Sequence, residues 1–220
     1  AWETLYDALQ VAGGAGYLTS LPYEKRMRDF RVATIFEGTT EIHSIYPPLH
    51  LLRLLTGQFK AKRGGRLRQL SFVISGLFRS SSVKLSFDDP VMQAGVTLIE
   101  SNLKAFKKLL SLGMFRYRKE IVRHEFLLRR MTELSLDLYI LLAMLAWINS
   151  LQREGEAVDE EKWLLAYFIE QARTNQRRNR RFRVNRKEEL HHQIFRDIEK
   201  KVERGESKAA SEKLKEDSGK

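Results

Sequence analysis

Apolar residues recur at three- and four-residue spacing through most of the second half of the chain. Val96, Ile99, Leu103, Phe106, Leu109 and Leu110 form one such face, as a helix burying a single side requires. Ile121, Phe126, Leu127, Met131, Leu134, Leu138, Leu141, Leu142, Leu145 and Ile148 continue the pattern over a longer second helix. Gly155 ends it, and Asp159 can cap a third helix whose body runs from Lys162 to Phe182. Leu190, Ile194, Ile198 and Val202 make one stripe on a fourth, from Glu188 to Val202. Four such helices with short connections predict an up-and-down bundle. Strand signals are nearly absent, with Phe72 to Ile74 the one weak candidate.

The first half is organised differently. Residues 1–57 run from a short helix through a glycine-rich turn and a basic stretch into a long apolar helix, and read as the end of one helical domain. Residues 58–90 are basic, rich in glycine and serine, and interspersed with large apolar side chains, which marks a linker. Residues 91–204 hold the bundle. Residues 205–220 lack the apolar content to offset their ordering entropy and read as a disordered, charged tail. The fold class expected is all-α: a partial helical domain followed by a second, up-and-down helical bundle.

Composition narrows the chemistry. The 220 residues are 43% hydrophobic, which is ordinary for a chain that folds. With no cysteine, a disulfide scaffold, a thiolate metal site and a cysteine nucleophile are all excluded. The histidines (His43, His50, His124, His191 and His192) show no HExxH-type spacing, so no metal site is expected, and the adjacent pair His191–His192 should point to different faces of its helix. A net charge of +11 attracts anionic partners of several kinds without choosing among them. The densest apolar run, Leu134 to Ile148, is interrupted by Asp137 and falls short of the ~20 residues that span a bilayer. The chain opens at Ala1 inside an amphipathic pattern with no signal sequence before it, and reads as a piece of a longer polypeptide.

The segment from Gln10 to Ile42, QVAGGAGYLTSLPYEKRMRDFRVATIFEGTTEI, carries the most chemistry. Gly13, Gly14 and Gly16 allow positive-φ backbone and close approach of a ligand. Without a preceding strand they make no dinucleotide fingerprint, and a plain helix-to-helix turn is the alternative. Pro22 starts a short basic helix holding Lys25, Arg26, Arg28 and Arg31. Glu37 follows the apolar pair Ile35 and Phe36 and precedes Gly38. A carboxylate so placed can be desolvated and pushed toward useful base strength, while the glycine leaves room for a substrate. On spacing alone, a solvated glutamate is the competing reading.

Three pieces of this segment stand in a set order. They are Q-x-x-G-G-x-G-[FY] at Gln10 to Tyr17, P-x-E-[KR]-x-x-R-D at Pro22 to Asp29, and [FY]-E-G-T-x-x-I at Phe36 to Ile42. Together they resemble the carboxy-terminal domain of acyl-CoA dehydrogenases. The resemblance implies FAD as cofactor and acyl-CoA as substrate. Glu37 matches the base that removes the acyl α-proton, and Gly38 a residue lining the thioester pocket. Gln10, Val11, Ala12, Gly13 and Gly14 match the turn that reaches the FAD of the neighbouring subunit in a homodimer. Thr39 and Glu41 match positions beside the bound FAD. Arg28 and Asp29 are expected to be structural, an ion pair or cap positioning the Glu37 segment. In the implied reaction Glu37 takes the α-proton while the β-hydrogen leaves as hydride to the flavin. The flavin ribityl hydroxyl and the base's own backbone N–H hold the developing enolate, and electrons pass on to an electron-transferring flavoprotein. Where the family often has arginine two residues beyond the motif's isoleucine, Ser44 stands here. The amino-terminal helical and β-domains of the family are not in this sequence, so these residues alone are expected to be inactive.

Length beyond the motif points to one branch. Medium- and short-chain members end soon after the corresponding helix, whereas this sequence runs on, as the very-long-chain enzymes and their complex I assembly-factor relative do. Lys119 to Leu151 resembles the extra carboxy-terminal domain of that branch, which favours dimers. In the linker, Lys62, Arg63, Arg66, Arg68 and Arg79 surround Leu67, Leu70, Phe72 and Phe78. That mixture suits the headgroup region of an anionic membrane, with a mobile loop packed on the bundle as the alternative. The resemblance points the same way, to the matrix face of the mitochondrial inner membrane or to a bacterial cytoplasm and inner membrane. The cluster from Arg173 to Lys187 can grip phosphate but has only Phe182 for base stacking. It reads as a solvated helix end, and no nucleic-acid partner is expected. The function expected is oxidation of long- or very-long-chain acyl-CoA to trans-2-enoyl-CoA in fatty acid β-oxidation. The alternative is a scaffold with little turnover, as in the assembly-factor relative.

Overall fold

The structure of the protein, a computed structural model, describes residues 2–60, 71, 74, 75, 82–183 and 185–203. Most of the basic linker and the charged tail lie outside the described residues, as do Phe72 and Val73; Ile74 is helical. Every regular element among the described residues is a helix, which bears out the all-α expectation. They are α1 (Trp2–Val11), α2 (Gly13–Tyr17), α3 (Tyr23–Ala33), α4 (Thr40–Lys60), α5 (Pro90–Tyr117), a 3₁₀ turn (Arg118–Arg123), α6 (Glu125–Arg153), α7 (Asp159–Asn179) and α8 (Arg186–Glu203).

Local chemistry sets several of these boundaries. Asp89 caps α5, its Oδ1 accepting the Val91 and Met92 backbone N–H groups at 2.9 and 3.0 Å, with Pro90 as the first helical residue. Its other oxygen meets Lys162 Nζ at 2.8 Å, which ties the start of α5 to α7. The Lys162 bond, followed by the two backbone donors, holds the Asp89 carboxyl below its ordinary range. The second long helix begins at Glu125, later than the apolar pattern predicts. Ile121 contributes to the core from the 3₁₀ turn, where the chain reverses after Arg118 takes a positive φ of 50°. At Gly113 this turn comes so close that a Cβ would lie 2.7 Å from Ile121 Cδ1. Asp159 is the first residue inside α7 and not its cap; Val158 holds that place, and Asp159 faces the helix dipole instead. The helix ends at Asn179, leaving Phe182 in the connection to α8.

The core has two centres. In one, Met92, Val96 and Ile99 of α5 pack against Leu141, Leu145 and Ile148 of α6 and Leu165 and Ile169 of α7. In the other, Leu109, Leu110 and Met114 of α5 meet Leu128, Met131 and Leu134 of α6, together with Leu52 of α4. The early part of α5 therefore lies beside the late part of α6, which makes the helices antiparallel. The fourth side of this body comes from α4, whose Ile45, Leu49, Leu52 and Leu55 follow helical spacing and cover the second centre. The Glu188–Val202 helix does not supply it. Instead α8 meets α6 through its first turns, where Glu188 binds Arg130 and both His191 and His192 turn edge-on to Phe126. Its Leu190, Ile194, Phe195, Ile198 and Val202 remain exposed. The two adjacent histidines thus share one aromatic neighbour.

Among the described residues, α6 is the one helix long and apolar enough to cross a bilayer by length and composition. It also packs on α4, α5 and α7 and carries Asp137 in its middle, 4% exposed.

Between the two apolar centres lies a polar layer. Asn102 is fully buried, Gln176 Nε2 donates to Ser101 Oγ at 2.7 Å, and Asn175 Nδ2 donates to Asp137 Oδ1 at 3.4 Å. Asp137 Oδ2 and both amide atoms of Asn102 have no protein partner among the described residues. Burial pushes the Asp137 carboxyl from 3.8 up to about 6, the Asn175 bond only partly opposing it.

The amino-terminal helices are a separate small cluster. α1 packs on α2 and α3, with Trp2 stacked on Phe30 at 6.4 Å between ring centroids. Gly16 is the one buried residue among α1, α2 and α3.

Two outcomes follow from this packing. An acid whose folded pKa is raised binds protons in the native state that the unfolded chain has already released, so its contribution to stability falls as pH rises from 4 to 6. Asp137→Asn removes that dependence; between pH 4 and 7 the parent should lose on the order of 2–3 kcal/mol relative to the variant in urea unfolding. At Gly16, an added Cβ would lie 2.6 Å from the Leu9 carbonyl oxygen and 2.9 Å from Ala12 Cβ. Gly16→Ala should speed hydrogen exchange across α1 and α2 by about tenfold or more while leaving α6 unchanged.

Candidate functional site: the loop carrying Glu37

The loop between α3 and α4 is closed by its own backbone. α3 ends where the Thr34 N–H and hydroxyl both donate to the Arg31 carbonyl, at 3.2 and 2.8 Å, and the Arg31 guanidinium donates back to the Thr34 hydroxyl. The N–H groups of Ile35 and Phe36 both donate to the Val32 carbonyl at 3.0 Å. On the far side, Thr40 donates its backbone N–H to the Thr34 carbonyl at 3.2 Å and its hydroxyl to the same oxygen at 3.4 Å. Residues 34–40 thus form a ring of backbone pinned at one carbonyl.

Glu37 and Gly38 occupy the tip of that ring with φ of 58° and 117°. A left-handed φ costs a residue with a Cβ roughly 1–2 kcal/mol, and it persists where the surroundings determine it. Only Arg118 shares that condition among the described non-glycine residues. At Gly38 a Cβ would come 3.1 Å from His43 Nε2, so the glycine lets the His43 ring close over the loop. The His43 N–H in turn donates to the Thr39 carbonyl at 3.0 Å.

The setting of Glu37 differs from the desolvated one expected. Its side chain is exposed, and so are the flanking Ile35 and Phe36, at 52% and 51%. The tension between apolar flank and carboxylate is present in sequence, but the cover that would exclude water is not among these residues.

Thr39 and Glu41 lie next to Glu37 at the start of α4. The Glu41 carboxylate accepts its own backbone N–H and then the Thr39 hydroxyl, which together hold it below the ordinary carboxylate range. Ser44, where the motif often has arginine, donates its hydroxyl to the Glu41 carbonyl at 2.6 Å. Glu37, Gly38, Thr39 and Glu41 are therefore brought into one short stretch.

Gln10, Val11, Ala12, Gly13 and Gly14 form a second group at the corner between α1 and α2. Gln10 Nε2 donates to the Tyr6 hydroxyl at 2.7 Å, and Val11 is 91% exposed. Ala12 caps α2, and Gly13 takes a φ of 57°. Nothing lies within 4 Å of a Cβ added at Gly13 or Gly14, so their backbone is open to a ligand. The glycine-rich turn is thus a helical corner. No hydrogen bond among the described residues joins it to the Glu37 loop.

Arg28 does not pair with Asp29. It forms a two-bond contact with Glu24 one turn earlier, at 2.8 and 3.2 Å, and so stays on the α3 surface. The residues that hold the Glu37 loop are Arg31, Thr34 and Thr40, which the motif reading passed over. Threonines on either side of an apolar-Glu-Gly tip were the available signal.

Known proteins agree with this order of parts. Residues 90–207 match the family described as ACAD9/ACADV, C-terminal domain, and residues 1–45 match acyl-CoA dehydrogenase, C-terminal domain. The chain is 26% identical over 201 residues to very long-chain specific acyl-CoA dehydrogenase, mitochondrial, of Rattus norvegicus, covering 81% of this chain and 29% of that protein. Over 48 residues it is 46% identical to short-chain specific acyl-CoA dehydrogenase, mitochondrial, of Homo sapiens, covering 22% of this chain and 12% of that protein. The crystal structure of an acyl-CoA dehydrogenase complexed with FAD from Bacillus anthracis shares the fold, with a TM-score of 0.63. That likeness covers 90% of this chain and 33% of that one at 17% identity. The chain spans under a third of the length of the very-long-chain relative. With an acyl-CoA dehydrogenase carboxy-terminal segment leading into the further domain that matches more than half of it, the chain belongs to the acyl-CoA dehydrogenase family, in the branch that carries the ACAD9/ACADV C-terminal domain.

Proposed function

We propose that this chain is the carboxy-terminal part of an FAD-dependent acyl-CoA dehydrogenase that oxidises long- or very-long-chain acyl-CoA to trans-2-enoyl-CoA, with Glu37 as its base. The observation that carries the proposal is the left-handed φ of Glu37 at the tip of a loop closed on the Thr34 carbonyl. A strained backbone beneath a carboxylate, inside the E-G-T motif, supports the reading of a positioned base.

The open backbone at Gly13 and Gly14 fits a bound flavin, since no side chain stands in the way of a closely approaching ligand. Gln10 to Gly14 would reach the FAD of a second subunit in a homodimer, and Thr39 and Glu41 would border it. FAD, when bound, supplies the acceptor for the β-hydride. Glu37 removes the α-proton, Gly38 keeps the thioester side of the loop free of a side chain, and the paired threonines fix the loop. Upstream parts of the polypeptide complete the cover that Glu37 lacks here. The electron acceptor would be an electron-transferring flavoprotein, and the place the matrix side of the mitochondrial inner membrane or a bacterial cytoplasm. The linker at 58–90, much of it outside the described residues, is assigned contact with an anionic membrane surface on its mixture of basic and apolar residues.

Palmitoyl-CoA should bleach the flavin absorbance of the complete subunit under anaerobic conditions, and Glu37→Gln should abolish the bleaching while keeping the flavin. Flavin binding without bleaching in either protein would favour the scaffold reading. For the linker, liposomes rich in anionic lipid should float the complete subunit and leave a variant lacking residues 60–88 behind. Equal flotation of both would sink the membrane assignment.

A further inference from the structure

The described residues between α7 and α8 are basic, and two of their carbonyls are held by a buried side chain. Arg130, 7% exposed, donates through Nη1 to the carbonyls of Arg181 and Arg183 at 2.7 and 3.2 Å. Its Nη2 donates to both oxygens of Glu188 at 2.5 and 2.6 Å. Asn185 and Glu188 exchange backbone N–H bonds at 2.9 Å, a reciprocal cap at the start of α8. Phe182 stacks on Tyr117 with ring centroids 5.6 Å apart. The carbonyls of this connection are thus drawn inward, while the Arg180, Arg181 and Arg183 side chains remain exposed.

Opposite them stands Lys108 on α5. These four cations surround a concavity of ≈ 580 Å³ with Leu112 and Phe182 in its wall, and no carboxylate lines it. None of the four is in an ion pair among the described residues. Like charges held together by a buried anchor repel one another, and a multiply charged anion offsets that repulsion. Guanidinium groups bind phosphate through paired N–H donors. The volume falls in the range of small-molecule sites, ~300–1,000 Å³. A nucleic-acid strand would need an extended basic track with repeated stacking platforms, and Phe182 is the one aromatic here.

We propose that this concavity binds a small molecule carrying two or more phosphate groups, held by Lys108, Arg180, Arg181 and Arg183 with its body against Phe182. None of these residues belongs to the loop that carries Glu37. The phosphate can belong to a soluble compound or to a lipid headgroup.

Titration calorimetry of the complete polypeptide with inorganic pyrophosphate tests this at fixed ionic strength. Saturable binding is expected, weakened about tenfold or more in Arg181→Gln/Arg183→Gln and also reduced in Lys108→Gln on the opposite wall. Arg130 holds backbone carbonyls, so the arginine variants retain its anchor; Lys108→Gln, outside the connection, guards against misfolding as the cause. Lys200→Gln/Lys201→Gln on exposed α8 removes equal charge and should leave binding unchanged. Loss of vesicle binding in the same pocket variants, with pyrophosphate as competitor, would assign a headgroup; unchanged vesicle binding would assign a soluble ligand. No saturable binding, or an equal loss in the α8 control, would overturn the proposal.

Discussion

Among the described residues, the larger of the two packed bodies is built on α6. That helix faces α5 and α7 along its length, receives α4 against its first half, and anchors α8 through Arg130. Its sequence has the bulk character of a membrane span, with one side buried in these contacts and Leu136, Tyr139, Leu142 and Trp147 left exposed on the other. Its polar positions are correspondingly few and specific. Asp137 and Arg130 sit at buried places, and each is matched, in part or in full, by groups from a different helix. Buried polar groups of this kind limit how far two apolar helices can slide past one another, since a shift strands the charge.

The Glu37 loop is governed by another scale of interaction. Its shape depends on hydrogen bonds within residues 31–43, so it needs no help from the bundle. Its environment does need help. Exposed Ile35, Phe36, Ile42 and Tyr46 are apolar groups that the described residues leave uncovered. Shape is local and solvent exclusion is not, and a carboxylate base depends on both.

The helices from α5 onward could be read from periodicity because each carries one continuous apolar stripe, and spacing reports that directly. The family motif could be read because glycine, proline and glutamate at set separations reflect backbone demands that few sequences meet by chance. What periodicity could not show was partnership. The stripe of α8 has helical spacing, as that of α4 does, yet α4 covers the core and α8 projects from it, a difference made by contacts distant in sequence. The same holds for Arg130, which looks like one more surface arginine within Phe126 to Leu134 until its two carbonyl partners and Glu188 come from residues 181–188. The helical end at Asn179 and the turn at Arg118 were missed because both depend on how neighbouring helices meet, not on local preference.

The backbone at Glu37 also bears on how such sequences diverge. Glycine or asparagine would sit at position 37 with less strain than glutamate does. Replacement of Glu37 by glycine would relieve the strain its Cβ imposes, so substitution at this position has a preferred direction. Glutamate in a left-handed conformation stands against the local conformational preference, and the loop around it records that opposition in its geometry.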